Sequence, residues 1–183
     1  MPRLFLIRHG EPAGTWNDSH DPGLTDLGRQ QASATADRLR LFTPKQIVSS
    51  PLRRARETAA PLADMLSMQV AIADQVAEIP SPANMSLENR GDWLRAIMSR
   101  NWIGVEPTLR RWRDDVVSYL SGLQVDTAVY SHFVAINVAL GASIGDDRVV
   151  CFQPAHASVT ILEANGRALS LVELGQTAQT TVR

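Results

Sequence analysis

Two hydrophobic periods alternate along the chain. Leu4, Phe5, Leu6 and Ile7 form an unbroken apolar run, which predicts a strand buried on both faces. Residues 25–41 place Leu27, Ala32, Ala36, Leu39 and Leu41 at roughly helical spacing. A short strand is expected at 46–49, followed by a helix opened by Ser50 as N-cap with Pro51 in its first turn. That helix carries Leu52, Ala55, Ala59, Leu62, Ala63 and Leu66 along one side. A third strand is expected at 68–73. Residues 86–123 read as two helices broken near Gly104 and Pro107, and 127–130 as a fourth strand leading into a helix over 134–140. Strands at 158–163 and 168–174, joined by Asn165-Gly166, form a hairpin. The alternation predicts an α/β fold: a mostly parallel sheet, helices on both faces and one antiparallel strand pair. No repeat, low-complexity stretch or linker divides residues 1–183, so one domain is expected, with the polar end from Gln176 loose.

Charge narrows the partners. Eighteen Lys and Arg against nineteen Asp and Glu leave a net charge of -1, which offers no broad basic surface for nucleic acid or an anionic membrane. An anionic ligand must therefore meet a local cluster of cations. The single cysteine, Cys151, forms no intrachain disulfide and fits a reducing compartment; within Val149-Val150-Cys151-Phe152 it reads as a buried small hydrophobe. The apolar run at 4–7 is too short for a signal peptide, and the uncharged stretch 127–145 reads as strand plus helix rather than a membrane span. A cytoplasmic protein is expected.

In open parallel sheets, ligands bind beyond the carboxyl ends of the strands. The first expected strand is followed by Arg8-His9-Gly10-Glu11, the second by Ser50 to Arg54, the third leads to Glu78, and the fourth runs into Ser131-His132. Two histidines, arginines and a carboxylate thus share one edge, a set suited to phosphate. Guanidinium matches phosphoryl oxygens with paired hydrogen bonds, and Arg54 stands beside a helix N-terminus that favours anions. A neutral imidazole can attack phosphorus, a second can donate to the transferring group, and a carboxylic acid can protonate the leaving oxygen.

Leu6-Ile7-Arg8-His9-Gly10-Glu11 resembles the Arg-His-Gly motif of the histidine phosphatase superfamily, in its phosphoglycerate-mutase-like branch. Three further blocks resemble that family in its order: Leu24 to Ala32, Ser49 to Ala59, and Tyr130-Ser131-His132. By that resemblance His9 is the nucleophile that becomes phosphohistidine, Arg8, Arg54 and His132 bind the phosphoryl oxygens, and Glu78 is the proton donor. No metal or organic cofactor is implied. The substrate would be a phosphorylated small molecule or a phosphoprotein. The chain departs from the family pattern in three places: Trp16-Asn17 come one residue late, Phe133 replaces the glycine after the second histidine, and Ile79-Pro80-Ser81-Pro82 is unlike the glycolytic mutases. Asn17 as a phosphate ligand, the shape of the pocket and the substrate are what these departures touch.

Bland readings compete at several positions. Arg53 and Arg56 read as solvated or ion-paired, Glu11 as a rival proton donor or a group that orients its loop, and His20 and His156 as surface loop residues. Neither histidine has metal-ligand spacing with the other or with Cys151. Trp93, Trp102 and Trp112 with Arg90, Arg95, Arg100, Arg110 and Arg111 could suggest a nucleotide surface. Amphipathic packing explains the tryptophans more simply, and interspersed acids dilute the charge. The position of 86–123 after Glu78 makes it a helical cap over the pocket. A monoester phosphatase is the expected activity. The alternatives are a mutase-type phosphoryl transferase and a phosphoanion-binding module without chemistry.

Overall fold

The computed structural model describes residues 1–15, 19 and 21–178. β1 (Arg3–Arg8) is followed by α1 (Asp26–Leu39), β2 (Gln46–Ser49), α2 (Arg53–Leu66) and β3 (Val70–Ile72). Then come α3 (Leu87–Met98), α4 (Pro107–Ser121), β4 (Thr127–Ser131), α5 (Phe133–Ile144), β5 (Val159–Ala164) and β6 (Leu169–Glu173). The six strands lie in the order β3-β2-β4-β1-β5-β6. β1, β2, β3 and β4 pair in parallel, and β5 runs against both of its neighbours, β1 and β6.

β1 is buried on both faces, as its apolar run demands. Leu4 and Leu6 join the core under α3, α4 and α5, while Phe5 and Ile7 join the core under α1 and α2. Each such side chain contributes about 1.5–3 kcal/mol by leaving water. Thr25 caps α1, its Oγ1 accepting the Gly28 N–H at 2.9 Å, and Gly166 at φ 85° closes the β5–β6 turn beside Asn165. Trp102 is buried and Trp93 and Trp112 pack against the same core, so the tryptophans are structural.

Three local expectations change. α2 starts at Arg53, with Leu52 as an N-cap that makes no side-chain bond; Ser50 and Pro51 precede the helix. The Ser50 hydroxyl turns instead toward α5, where its partner lies 82 residues away. The third strand shrinks to Val70–Ile72 at the sheet edge, because only one neighbour is there to pair with it. Cys151 is half-buried rather than buried, in a loop whose amides at Cys151 and Phe152 bond the Asn137 side chain. Among the described residues, no helix is long and apolar enough to cross a membrane.

Candidate active site

The parallel strands bring their carboxyl ends to one edge. β1 and β4 end in register at Arg8 and Ser131, and β2 and β4 at Ser49 and Tyr130. His9, Ser50 and His132 are therefore the first residues past three neighbouring strands. Glu78 follows β3 and a short turn at 74–76, and Arg54 stands in the first turn of α2.

His9 is 5% exposed, and its Nδ1 lies 2.7 Å from the Gly10 carbonyl. A carbonyl only accepts, so Nδ1 carries the hydrogen and Nε2 keeps a bare lone pair. Arg54 Nε donates to that lone pair at 3.2 Å. Burial pushes the His9 pKa well below 6.5, and the Arg54 and Arg8 charges push it further; the Gly10 bond opposes them weakly. The ring is neutral across the physiological range.

Arg54 is 4% exposed and held from behind: the Thr58 hydroxyl donates to the Arg54 carbonyl at 2.7 Å and accepts the Gly10 N–H at 3.0 Å. One hydroxyl thus ties the loop after His9 to the helix that carries Arg54. Arg8 gives one N–H to the Pro154 carbonyl at 2.8 Å and lies over the Phe133 ring. Burial lowers its pKa to about 10, an effect that Glu78 opposes and Arg54 reinforces. Phe133, in place of glycine, thereby makes a stacking wall for a guanidinium.

Glu78 is 7% exposed and accepts only the Ile79 N–H, at 3.0 Å, among the described residues. Burial raises its pKa against the pull of Arg54, Ile79, Arg8 and Arg90, which favours a protonated acid. His132 is fully buried, its ring centroid 5.2 Å from that of His9, and burial followed by His9, Arg54 and Arg8 keeps it neutral. Two buried nitrogens of this cluster, Arg8 Nε and His132 Nδ1, lack a partner among the described residues. Buried polar atoms left open at one site, the Arg8 N–H donor among them, mark where a polar ligand belongs.

All five expected residues, His9, Arg8, Arg54, Glu78 and His132, are thus brought together. Arg53 pairs with Glu57 at 2.6 Å and Arg56 is exposed, as anticipated. Glu11 accepts the Thr25 hydroxyl at 2.9 Å and braces the loop against α1. Trp16, Asn17 and His20 lie outside the described residues.

His156 corrects the sequence reading. It is half-buried rather than on the surface, its ring centroid 5.9 Å from His9, and burial with the Arg8 charge lowers its pKa to about 4. The loop is pinned: the Ala157 N–H donates to the Arg8 carbonyl at 2.9 Å, and the Thr35 hydroxyl to the Ala157 carbonyl at 2.8 Å. An available signal was topological, since an antiparallel strand beside β1 must begin at the edge where β1 ends.

A cleft of about 1470 Å³ opens over His9, lined by Arg8, Arg54 and Glu78 at its base and by Arg90, Met98 and His156 among its walls. The described residues contain no group of histidine, cysteine and carboxylate side chains fit to hold a metal ion.

The pattern of the histidine phosphatase superfamily (branch 1) matches residues 4–177. The chain belongs to the histidine phosphatase superfamily. Its similarity to a glucosyl-3-phosphoglycerate phosphatase of Mycolicibacterium vanbaalenii is 36% identity over 62% of this chain and 48% of that protein. With phosphoserine phosphatase 1 of Hydrogenobacter thermophilus it shares 29% identity over 63% of this chain and 52% of the relative. The matched stretch thus spans about half the length of these relatives. The fold matches that of a mycobacterial glucosyl-3-phosphoglycerate phosphatase, with a TM-score of 0.75 and 21% identity, covering 97% of this chain and 100% of the other. Within this superfamily the sheet and its flanking helices are accordingly of the phosphoglycerate-mutase-like type.

Proposed function

We propose that the chain is a phosphomonoester phosphatase working through phosphohistidine at His9, without metal or organic cofactor. The observation that carries this reading is the orientation of His9: Nδ1 is tied to the Gly10 carbonyl, so Nε2 keeps a lone pair. That lone pair accepts from Arg54 Nε in the resting protein and turns to phosphorus when that guanidinium takes a phosphoryl oxygen. In the first step Nε2 attacks, the ester P–O bond breaks, and the leaving oxygen takes the proton of Glu78. In the second, the Glu78 carboxylate takes a proton from water as that water attacks. The P–N bond then breaks, releasing inorganic phosphate and restoring both groups. Arg8, Arg54 and His132 hold the non-bridging oxygens throughout. Glu78 is the better proton donor than Glu11, whose carboxylate is engaged with Thr25.

The relatives named for glucosyl-3-phosphoglycerate and phosphoserine point to small phosphorylated acids as substrates. Arg90 fits such a second acidic group: it is half-buried on α3, lines the cleft, and its charge reaches Glu78 and His132. In this reading α3 is the part of 86–123 that caps the site, while α4 packs against the core through Leu109, Val116 and Leu120. The half-buried single cysteine suits a cytoplasmic setting.

The test is hydrolysis of p-nitrophenyl phosphate and of phosphorylated small acids with chelator present, beside His9→Ala. Activity that survives chelation, needs no bisphosphorylated primer and disappears in the variant supports the proposal. Equal activity in both proteins overturns it.

A further inference from the structure

Ser50 is fully buried, precedes α2 without capping it, and has no part in the chemistry above. Its hydroxyl oxygen lies 2.7 Å from His132 Nε2 and also accepts the Leu52 N–H at 3.2 Å. A serine hydroxyl has one hydrogen to give. Among the described residues, His132 Nε2 is the only acceptor recorded for it.

Two neutral arrangements are open to the pair. If His132 carries its hydrogen on Nε2 and donates to Ser50, the serine hydrogen has no acceptor, and Nδ1 becomes a bare lone pair buried beside a phosphoryl site. If Ser50 donates instead, its hydrogen and Nε2 satisfy each other, and Nδ1–H is the one group left open. The second arrangement leaves fewer buried polar groups unmatched and leaves a donor rather than an acceptor facing an anion. The doubly protonated ring is opposed by full burial and by the neighbouring Arg54 and Arg8 charges.

We infer that Ser50 is a positioning residue: by donating to His132 Nε2 it holds that ring as the Nδ1–H tautomer, the form that can donate to the transferring phosphoryl oxygen. The inference rests on the phosphatase reading for its purpose. The tautomer itself is a property of the resting protein.

Nitrogen-15 NMR of the full chain with labelled histidines, with His132 assigned through His132→Gln, reads the tautomer directly. The expected result is a pyrrole-type Nδ1 and a pyridine-type Nε2 on His132. In Ser50→Ala that pattern is lost and kcat falls roughly 10–100-fold, the range for removing groups that orient a liganding histidine. Ser50→Thr, which keeps the hydroxyl, restores both. A wild-type His132 protonated on Nε2 overturns the inference, as does a Ser50→Ala protein with unchanged tautomer and kcat within about twofold. A protein inactive on every monoester, yet showing the Nδ1–H form lost in Ser50→Ala, would refute the phosphatase reading and uphold the role of Ser50.

Discussion

A neutral imidazole is a usable nucleophile toward phosphorus only if one nitrogen has somewhere to put its hydrogen. His9 meets that condition through the Gly10 carbonyl, one residue along the same loop. In the proposed reaction Glu78 must be protonated for the first step and ionised for the second, and burial raises its pKa toward that compromise. Because only the protonated form can donate to the leaving oxygen, kcat for phosphoryl transfer falls as pH rises through the raised value. Glu78→Gln should lower turnover of an alkyl monoester by about 10²–10⁴, the usual worth of general acid catalysis. It should slow the first step, transfer to His9, far less with p-nitrophenyl phosphate, since that leaving group departs without a proton, while water attack on phosphohistidine loses its base with either ester. Pre-steady-state release of the leaving group from the two esters checks this, and an equal loss in that first step would mean that Glu78 positions the phosphate instead of protonating the leaving group. At this scale the residues of the motif blocks were legible because each stands at the end of a strand, just past one, or in the first turn of a helix. Ser50 and His156 were not, because their partners lie 82 and 147 positions away and a local pattern offers a cap or a loop as sufficient explanation.

The element that most directly shapes the site is the crossing of the loop after β1 over the start of α1. A Cβ on Gly10 would lie 2.6 Å from the Gly28 carbonyl, and one on Gly28 would collide with the Glu11 carbonyl. Two backbones meet here with no room for a side chain, which is a reason for glycine in both the Arg-His-Gly and the Leu-Gly blocks. Gly28→Ala should cost about 1–3 kcal/mol through overpacking. It should also reduce kcat, because the strain falls on the loop that orients His9. Denaturant melts read beside kcat are the check; an alanine protein as stable and active as the parent would show that the loop has slack. Helices and strands were legible through periodicity, with α1, β2 and α3 near their expected places. The pairing order β3-β2-β4-β1-β5-β6 was not, because neighbours such as β1 and β4 lie more than a hundred residues apart in sequence and only side-chain packing on both faces decides their adjacency.

For the whole molecule, collecting these groups in one buried site makes stability depend on pH in a definite direction. The pKa values of His9 and His132 lie well below the ordinary 6.5, chiefly through burial, so below pH 6.5 the unfolded chain binds protons that the folded chain refuses. Stability contributed by these neutral rings is present above 6.5 and is lost as pH falls, at about 1.4 kcal/mol per pH unit for each fully buried histidine. Half-buried His156, lowered to about 4, adds in the same direction with a smaller weight because water reaches it. Glu78 has the opposite sign: its raised pKa gives stability that is present in acid and lost as pH rises through the folded value, so it offsets one histidine where the windows overlap. The balance still leaves about one histidine's contribution, or about 1 kcal/mol lost between pH 7.0 and 5.5, most of it below 6.5. Urea unfolding at the two pH values measures it. His132→Gln should flatten the dependence even where it lowers stability at neutral pH, because the variant has no proton to refuse at that position. A wild-type protein equally stable at both pH values would mean that the buried imidazoles take up protons in the folded state. The lone pair on His9 would then be unavailable to phosphorus in the acidic part of that range.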